Sequence, residues 1–309
     1  MSRELKNEFA WSKTRDEVFR ECLRKYWFQY YGFWGGWFEN ASKRAREIYI
    51  LKQLQTRQMW AGDHVHRRIK HTLSDVRRGF EPKAVEKAVE ATLEDMREDF
   101  KASRAGLYRQ EPKRKCGLFE HEYKQDVPNE KWKENADHVA LCVRNFYASE
   151  IFQRIRALPR ESWLELEERS SFDLDGLKVY VQLDFAFRED SRIVIYDWKT
   201  GRADSGRNDL QLACYVLYAA QKWQVAPAQV TAVEFNLPSN QERRHEVDEG
   251  KLQSVKEHIR ESAEEMLFPL TDPEHNKAED EDAFEFTEDE RACTRCNFVK
   301  VCPKFHQDG

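Results

Sequence analysis

No apolar run in this 309-residue chain approaches the roughly 18–20 residues of a membrane-spanning helix. The first residues, MSRELKNEFAWSK, lack the apolar core of a secretory signal peptide. No segment is repeated, and no G-x-x-x-x-G-K-S/T phosphate-binding loop is present. We therefore expect a cytoplasmic protein that does not associate with membranes and has no ATP-driven motor of its own.

The composition is sufficient for a sizeable core, since 40% of the residues are hydrophobic and 13% are aromatic. Seven cysteines in a reducing compartment favour metal binding or buried thiols over disulfides. The net charge of −5 is unevenly distributed, because residues 272–290 contain ten acids and one lysine. We expect this acidic segment to be a loop or a weakly ordered linker.

The periodicity of the chain changes near its middle. Residues 12–158 show helical patterns, which Pro159 ends. Period-two strands are predicted near 163–172, 177–187 and 192–199, then a helix at 207–223, strands at 230–237 and 243–247, and a helix at 250–267. The sequence predicts an α/β protein with a helical region (1–158), a mixed core (159–270), an acidic linker (271–291) and a cysteine-containing tail (292–309).

Two of the predicted strands carry acids late in apolar runs, in VYVQLDFAFREDSRIVIYDWKTG (residues 179–201). The turn REDS is short enough for a hairpin. With the turn centred between Glu189 and Asp190, Asp184 is expected opposite Ile195, and Asp197 diagonal to Asp184 on the same face. Lys199 then shares that face, since it follows Asp197 by two residues.

Two such carboxylates suit a hard divalent cation such as Mg²⁺ or Mn²⁺. The ion would activate water and stabilise charge on a phosphoryl oxygen, and the lysine would orient the nucleophile. An ordinary Asp–Lys ion pair at an exposed hairpin end is the alternative. In the following helix, Gln211 and Tyr215 are spaced i, i+4 and share a face, which is also compatible with simple packing.

Asp184, then Asp197-Trp198-Lys199, then Gln211-x-x-x-Tyr215 resembles the PD-(D/E)XK nuclease core of the RecB-like branch. The resemblance implies a restriction-endonuclease-like fold, in which helices flank a mixed sheet. It implies that Asp184 and Asp197 bind the metal with the Trp198 carbonyl, that Lys199 is catalytic, and that Gln211 and Tyr215 contact DNA.

The same branch has a Gly-x-x-Val-His segment on an upstream helix, and GDHVH supplies it here with His66 as a further metal ligand. His64 and His71 are nearby competitors, and a packed or exposed histidine is the ordinary alternative. An acid in the first core strand is also expected. WLELEERSSF offers Glu165, Glu167 and Glu168, of which we favour Glu167.

The tail reads CTRCNFVKVC, which places Cys293, Cys296 and Cys302 at C-x2-C-x5-C spacing, with Cys22 far upstream. Four thiolates suit Zn²⁺ or an iron–sulfur cluster. The arrangement resembles the [4Fe–4S] staple of AddB-type nucleases and CRISPR-adaptation exonucleases, although Leu23 stands where that family often has proline. The alternatives are zinc or free thiols. Cys214 is predicted to be core, and Cys116 and Cys142 lack partners at ligand spacing.

Nine of the thirteen residues in YWFQYYGFWGGWF (26–38) are aromatic, as expected for packing or for a platform that stacks single-stranded bases. Basic residues of the helical half could follow a phosphate backbone: Lys43, Arg44, Arg46, Arg67, Arg68, Arg77 and Arg78.

The combined features predict a Mg²⁺- or Mn²⁺-dependent deoxyribonuclease with an iron–sulfur cluster. Resemblance implies an exonuclease on single-stranded DNA or DNA ends in repair, recombination or defence, with a helicase or defence-complex subunit as a possible partner. One rival is a non-catalytic iron–sulfur DNA-binding module, which the intact Asp-x-Lys residues disfavour. The other is a redox-sensing or structural iron–sulfur protein that does not bind nucleic acid.

Overall fold

A five-stranded mixed sheet organises the computed structural model, which describes residues 6–201, 209–245 and 248–305. The strands are β1 (Trp163–Leu174), β2 (Leu177–Glu189), β3 (Arg192–Lys199), β4 (Val230–Asn236) and β5 (Gln241–His245), in that spatial order. Neighbours are antiparallel except β3 and β4, which are parallel. Since parallel neighbours need a crossover, the chain leaves the sheet after β3 and returns through a helix.

Helices surround this sheet and make up most of the first half of the chain. They are α1 (Lys13–Glu21), α2 (Leu23–Trp27), α3 (Lys43–Lys52), α4 (Arg57–Arg78), α5 (Val85–Arg104), α6 (Phe119–Glu122), α7 (Asn129–Ala148), α8 (Glu150–Ala157), α9 (Asp209–Trp223), α10 (Glu249–Leu267) and α11 (Glu290–Cys293). A π-helical turn, Phe28–Gly32, extends α2, and a short hairpin of β6 (Leu270–Asp272) and β7 (Lys277–Ala278) follows α10. The predicted α/β architecture is confirmed.

The two faces of the sheet bury different helices. Apolar residues of α9 and α10 form one core cluster with Leu183 and Ile195, while α4, α5, α7 and α8 form another with Phe185 and Trp198. Because both faces are covered, β3 is buried along most of its length and reads as a continuous apolar run. Charged residues within this strand are therefore held in a low-dielectric environment.

Helix α4 has clear sequence signals at both ends. The Thr56 hydroxyl accepts a hydrogen bond from the N–H of Met59 at the N-terminus. Gly79 ends the helix with φ of +80°, a conformation that glycine adopts without steric cost. Its buried stripe includes Val65, Ile69 and Leu73, which hold α4 across the sheet. The helix is thus rigid where it passes the strand acids.

The acidic segment 272–290 packs against the N-terminal helices. Phe284 is fully buried and contacts the rings of Tyr26 and Tyr31. The buried Arg24 donates to the Phe284 carbonyl at 2.8 Å and to Glu281 at 2.9 Å. Through these contacts, the segment after the sheet packs on the N-terminal helices, and the cysteine tail that follows it lies beside the same helices.

Within the described part of the chain, no helix combines the length and apolar character that crossing a membrane would need. The strand predicted at 243–247 corresponds to β5, which the structure describes as Gln241–His245. Residues 246–247 lie outside the described residues. The predicted helix beginning at 207 is described from Asp209 onward.

Candidate active site

The hairpin of β2 and β3 carries the strand acids. Ala186 pairs with Ile195, so the turn is centred between Asp190 and Ser191. The expected pairing of Asp184 with Ile195 is therefore wrong. The turn begins one residue later than assumed, since Asp190 itself adopts a positive φ of 52° as a turn residue. Continuing the observed register places Asp184 opposite Asp197 instead of diagonal to it.

Glu167 lies across from Asp184 on the other side, in β1. Its φ of +52° is rare for a residue with a side chain and costs roughly 1–3 kcal/mol. The strands change facing at this point, because Leu183 packs in one core cluster and Phe185 in the other, although alternation would place them on the same face. This irregularity brings the Glu167 carboxylate into the space beside Asp184.

His66 of α4 closes the group from above the sheet. Its Nδ1 lies 3.2 Å from Oε1 of Glu167 and 3.3 Å from Oδ1 of Asp184. One ligand atom from each of these three residues lies within 4.8 Å of the others. Gly62 keeps α4 close to the end of β3, since an added Cβ would meet the Thr200 hydroxyl at 3.0 Å.

The competing histidines of α4 point elsewhere. His64 is buried and contacts Asp99 of α5 at 3.0 Å. His71 lines a separate cavity with Arg68 and Tyr147. The structure therefore brings only His66 of these three histidines to the strand acids.

The other two first-strand acids are also separated from the group. Glu165 is buried on the opposite side, where its carboxylate is held by the Tyr218 hydroxyl and the Lys222 ammonium. Glu168 is exposed. Glu167 is thus the acid of β1 that joins His66 and Asp184.

Lys199 connects Asp197 to the helix that follows. Its Nζ lies 2.6 Å from Oδ2 of Asp197 and donates to Oε1 of Gln211 at 3.0 Å. Gln211 in turn donates to the Tyr215 hydroxyl at 2.6 Å. That hydroxyl donates to the Gln182 carbonyl at 2.7 Å and lies 3.3 Å from Oδ1 of Asp197. The predicted Gln and Tyr residues therefore fix the lysine.

Burial and mutual repulsion shape the electrostatics of the site. Burial, together with the charge of Asp184, raises the pKa of Asp197 to about 6 despite the opposing Lys199. Burial lowers the pKa of His66, but Asp184 and Glu167 outweigh that effect and raise it well above its usual value. Burial and the charges of Asp197 and Asp184 raise the pKa of Tyr215 well above its usual value. The site therefore concentrates negative charge that a cation would stabilise.

The donor atoms fit a hard divalent ion. Oδ2 of Asp197 is buried without a hydrogen bond, and its contact with Lys199 is an ion pair. The N–H of Trp198 points to Asp184, so the Trp198 carbonyl faces the same side of β3. Carboxylate, carbonyl and imidazole donors suit Mg²⁺ or Mn²⁺. Asp197 nevertheless stands outside the tightest group, which consists of His66, Glu167 and Asp184.

The four tail-pattern cysteines line one small cavity. Cys22 lies between α1 and α2, and it meets Cys293, Cys296 and Cys302 there. Phe298, between the last two cysteines, stacks near Phe28 with ring centroids 5.2 Å apart. Arg24, Lys25 and Lys304 also line the cavity, so cations surround the thiols. Among the described residues, no three of these sulfurs lie within 4.8 Å of one another.

The remaining cysteines lie elsewhere. Cys142 and Cys214 are buried in the two core clusters, and Cys116 packs at the edge of one of them. The Cys142 sulfur is 3.7 Å from Nε2 of His138. None of the three lines the cavity of the other four.

Two residues of the site carried no prediction from the sequence. Gln182 donates to Oε2 of Glu167 at 3.2 Å. It precedes Asp184 by two residues on the same strand, and this spacing could have predicted that the two side chains lie on one face. His138 of α7 donates to the carbonyl of Thr200 at 2.6 Å, directly after Lys199. This contact joins two elements that are far apart in the chain, so no local sequence pattern predicted a role for His138.

Comparison with known proteins links this geometry to one family. The model of the PD-(D/E)XK nuclease superfamily matches residues 10–303. A search of the curated proteins finds no match. Among solved structures, one titled "Crystal structure of SSO0001" has 14% identity and a TM-score of 0.29, and the alignment covers 57% of this chain and 78% of that chain. A likeness of that size bears on neither fold nor function.

Proposed function

This chain belongs to the PD-(D/E)XK nuclease superfamily, and we propose that it hydrolyses DNA phosphodiester bonds as an exonuclease on single-stranded DNA or DNA ends. One observation carries the proposal. Acids of two adjacent strands, Glu167 and Asp184, converge with His66 of α4, and Asp197 of the next strand pairs with a lysine that a glutamine and a tyrosine hold in place.

Asp184, Asp197 and His66 would hold a Mg²⁺ or Mn²⁺ ion, with the Trp198 carbonyl and Glu167 as further donors. When bound, the ion supplies a more acidic water and stabilises charge on the phosphoryl oxygen. Binding it would also offset the burial and the neighbouring Asp184 charge, which together raise the pKa of Asp197.

Lys199 would act on the nucleophile and the scissile phosphate. Its ammonium lies 2.6 Å from Asp197 and is half-buried, so it can donate to a water or phosphoryl oxygen placed over that carboxylate. Gln211 restricts the rotamers of Lys199, and Tyr215 restricts those of Gln211. This chain of contacts holds the catalytic ammonium in one position before substrate arrives, and Gln211 and Tyr215 are also well placed to contact DNA.

We further propose that the protein falls in the RecB-like branch and carries a [4Fe–4S] cluster on Cys22, Cys293, Cys296 and Cys302. The four cysteines line one shared cavity, as a cluster in which each thiolate binds a different iron would require. The surrounding cations would stabilise the thiolates.

A non-catalytic DNA-binding module is the second candidate function. It shares the cluster and the fold, but it gives no reason for Gln211 to fix Lys199 beside the buried carboxylate of Asp197. A redox function without nucleic acid would account for the positions of neither Lys199 nor His66. Any helicase or defence-complex partner would supply the unwinding that this chain has no phosphate-binding loop to drive.

The deciding experiment is a gel assay on anaerobically purified protein. End-labelled single-stranded and duplex DNA are incubated with Mg²⁺, Mn²⁺ or EDTA, alongside Lys199→Ala. Metal-dependent cutting that is lost in the variant supports the nuclease, and a ladder shortening from one end supports an exonuclease. Binding without cutting by the cluster-loaded protein would favour the DNA-binding module instead.

A further inference from the structure

A groove of about 370 Å³ opens directly beside the Gln182 and Gln211 side chains. Its lining includes the first turn of α1 and the exposed surface of β1 and β2, and we call it the Arg169 groove. Gln182 links it to the acid group through Glu167, and Gln211 links it to Lys199. A polymer lying in this groove would therefore run up to the reacting position.

The groove is cationic. Arg169 and Lys13 line it, and no acidic side chain is among the described residues that do, but Lys13 is already paired with Glu17 of the same helix at 2.8 Å. The Arg169 guanidinium lies 4.1 Å from the centre of the Tyr180 ring, which orients it. Within the described chain, no carboxylate comes within ion-pair distance of Arg169. Its charge is consequently available to a ligand.

Four of the seven basic residues named from the sequence are already paired with carboxylates. Arg44 binds Glu281, Arg67 binds Asp63 and Asp99, and Arg78 binds Asp75. Arg68 is buried and contacts Thr92 and Asp95. These side chains are therefore poorer candidates for phosphate contacts than Arg169.

The aromatic cavity is also unsuited to a polyanion. Trp27 and Trp34 line it together with four acids, Glu8, Glu274, Glu279 and Asp280, against two lysines, Lys6 and Lys277. Carboxylates at this density would repel a phosphate backbone. The residues of the predicted stacking platform that line this cavity, Trp27, Tyr31 and Trp34, thus lie beside an excess of acids.

We propose that the Arg169 groove binds the single DNA strand that flanks the scissile phosphate, with Arg169 as its first phosphate contact and Lys13, which would exchange Glu17 for phosphate, as its second. This assignment rests on the proposed nuclease function and specifies its substrate. Phosphate contacts supply most of the sequence-independent affinity for nucleic acid. Exposed bases, which only a single strand offers, can stack on the guanidinium plane of Arg169, itself supported by Tyr180.

Binding is measured by fluorescence anisotropy in the Lys199→Ala background, so that no strand is cut, with a labelled oligothymidylate and Mn²⁺. Arg169→Ala should weaken binding roughly fivefold and reduce the slope of log K against log salt by about 0.7, the value for one contact to a single strand. Lys13→Ala combined with Arg169→Ala should reduce both further.

Arg192→Ala is the matched control. Arg192 is exposed on the same sheet at the far end of the β2–β3 hairpin, and it should leave affinity and slope unchanged. Arg169→Lys keeps the charge but not the planar stack, so it should retain the salt slope while losing part of the affinity. Unchanged melting temperatures exclude misfolding as the cause.

Equal behaviour of Arg169→Ala and Arg192→Ala would overturn the assignment, and so would an equal loss with blunt duplex DNA of the same length. The result is separable from the nuclease proposal. If binding depends on Arg169 but the wild type does not cut DNA, the groove binds the strand and the proposed nuclease activity is wrong. If the wild type cuts DNA and Arg169→Ala changes neither cutting nor binding, the activity stands and the assignment of the groove is wrong.

Discussion

The main-chain N–H of Trp198 donates a hydrogen bond of 2.6 Å to Oδ2 of Asp184. This bond fixes the carboxylate of β2 against the Asp197-Trp198-Lys199 segment of β3. The other oxygen of Asp184 then lies 3.3 Å from Nδ1 of His66. The Asp184 carboxylate thus connects the β2–β3 hairpin to α4. Its removal should disturb both the Asp197-Trp198-Lys199 segment and His66.

Lys199→Ala should abolish cutting while the protein stays folded, because the Lys199 side chain is partly exposed and, among the described residues, its ion pair and hydrogen bond go to the site residues Asp197 and Gln211. Single-turnover cutting with saturating Mn²⁺ and thermal melting followed by circular dichroism measure the two effects. Lys87→Ala, on the exposed face of α5, is the control and should cut normally. Loss of folding in Lys199→Ala would contradict the assigned role.

Glu167→Gln should weaken Mn²⁺ binding, because Glu167 contributes one of the three convergent donors. A ligand at a hundredfold excess over its Kd stabilises the folded state by about 2.7 kcal/mol. The wild type should therefore melt at higher temperature with Mn²⁺ than with EDTA, and Asp184→Asn should remove the shift.

Glu168→Gln is the matched control for Glu167→Gln. The two acids are adjacent in β1, but Glu168 is exposed and lies outside the acid group. Equal Mn²⁺ responses from these two variants would show that Glu167 is not a ligand.

Asp197→Asn should stabilise the metal-free protein at neutral pH. The folded pKa of Asp197, about 6, lies above its ordinary 3.8. Between these values the folded state holds a proton that the unfolded state has lost, so stability falls as pH rises, and above pH 6 the full penalty applies. The substitution should recover up to about 3 kcal/mol at pH 7.5 in EDTA and nearly nothing below pH 4.

Urea unfolding at several pH values measures this difference. Asp209→Asn is the control with the opposite sign. Burial raises the pKa of Asp209, but Lys251, His245 and Arg243 outweigh burial and lower it, so that its removal should destabilise the protein above pH 4. If Asp197→Asn were also destabilising at pH 7.5, the buried carboxylate would be a structural ion pair and not a site held ready for a cation.

Cys296→Ser should remove the brown chromophore of anaerobically purified protein and much of its stability. The cluster would close a very long loop between the N-terminal helices and the tail, and its binding energy would contribute to folding. Absorbance near the iron–sulfur charge-transfer bands and iron content give the readout. Cys116→Ser is the control, since Cys116 lies outside the cavity. A colourless wild type that contains zinc would reject the cluster.

The sequence by itself determined the parts of the site that depend on local spacing. Asp197 and Lys199 are two residues apart on one strand, and Gln211 and Tyr215 are one helical turn apart, so each pair must share a face wherever the element lies. The alternation of apolar residues also predicted the three strands that carry the acids. These relationships follow from backbone geometry alone.

Only the tertiary structure decided which residues meet across elements. The hairpin register depends on where the turn closes, and a shift of one residue in its centre moved Asp184 from Ile195 to Asp197. Glu167 was chosen over Glu165 by a positive φ, and His66 over His64 by the packing of α4 on the sheet. The sequence favoured His66 and Glu167 as candidates, but whether their side chains reach Asp184 is set by many distant contacts at once.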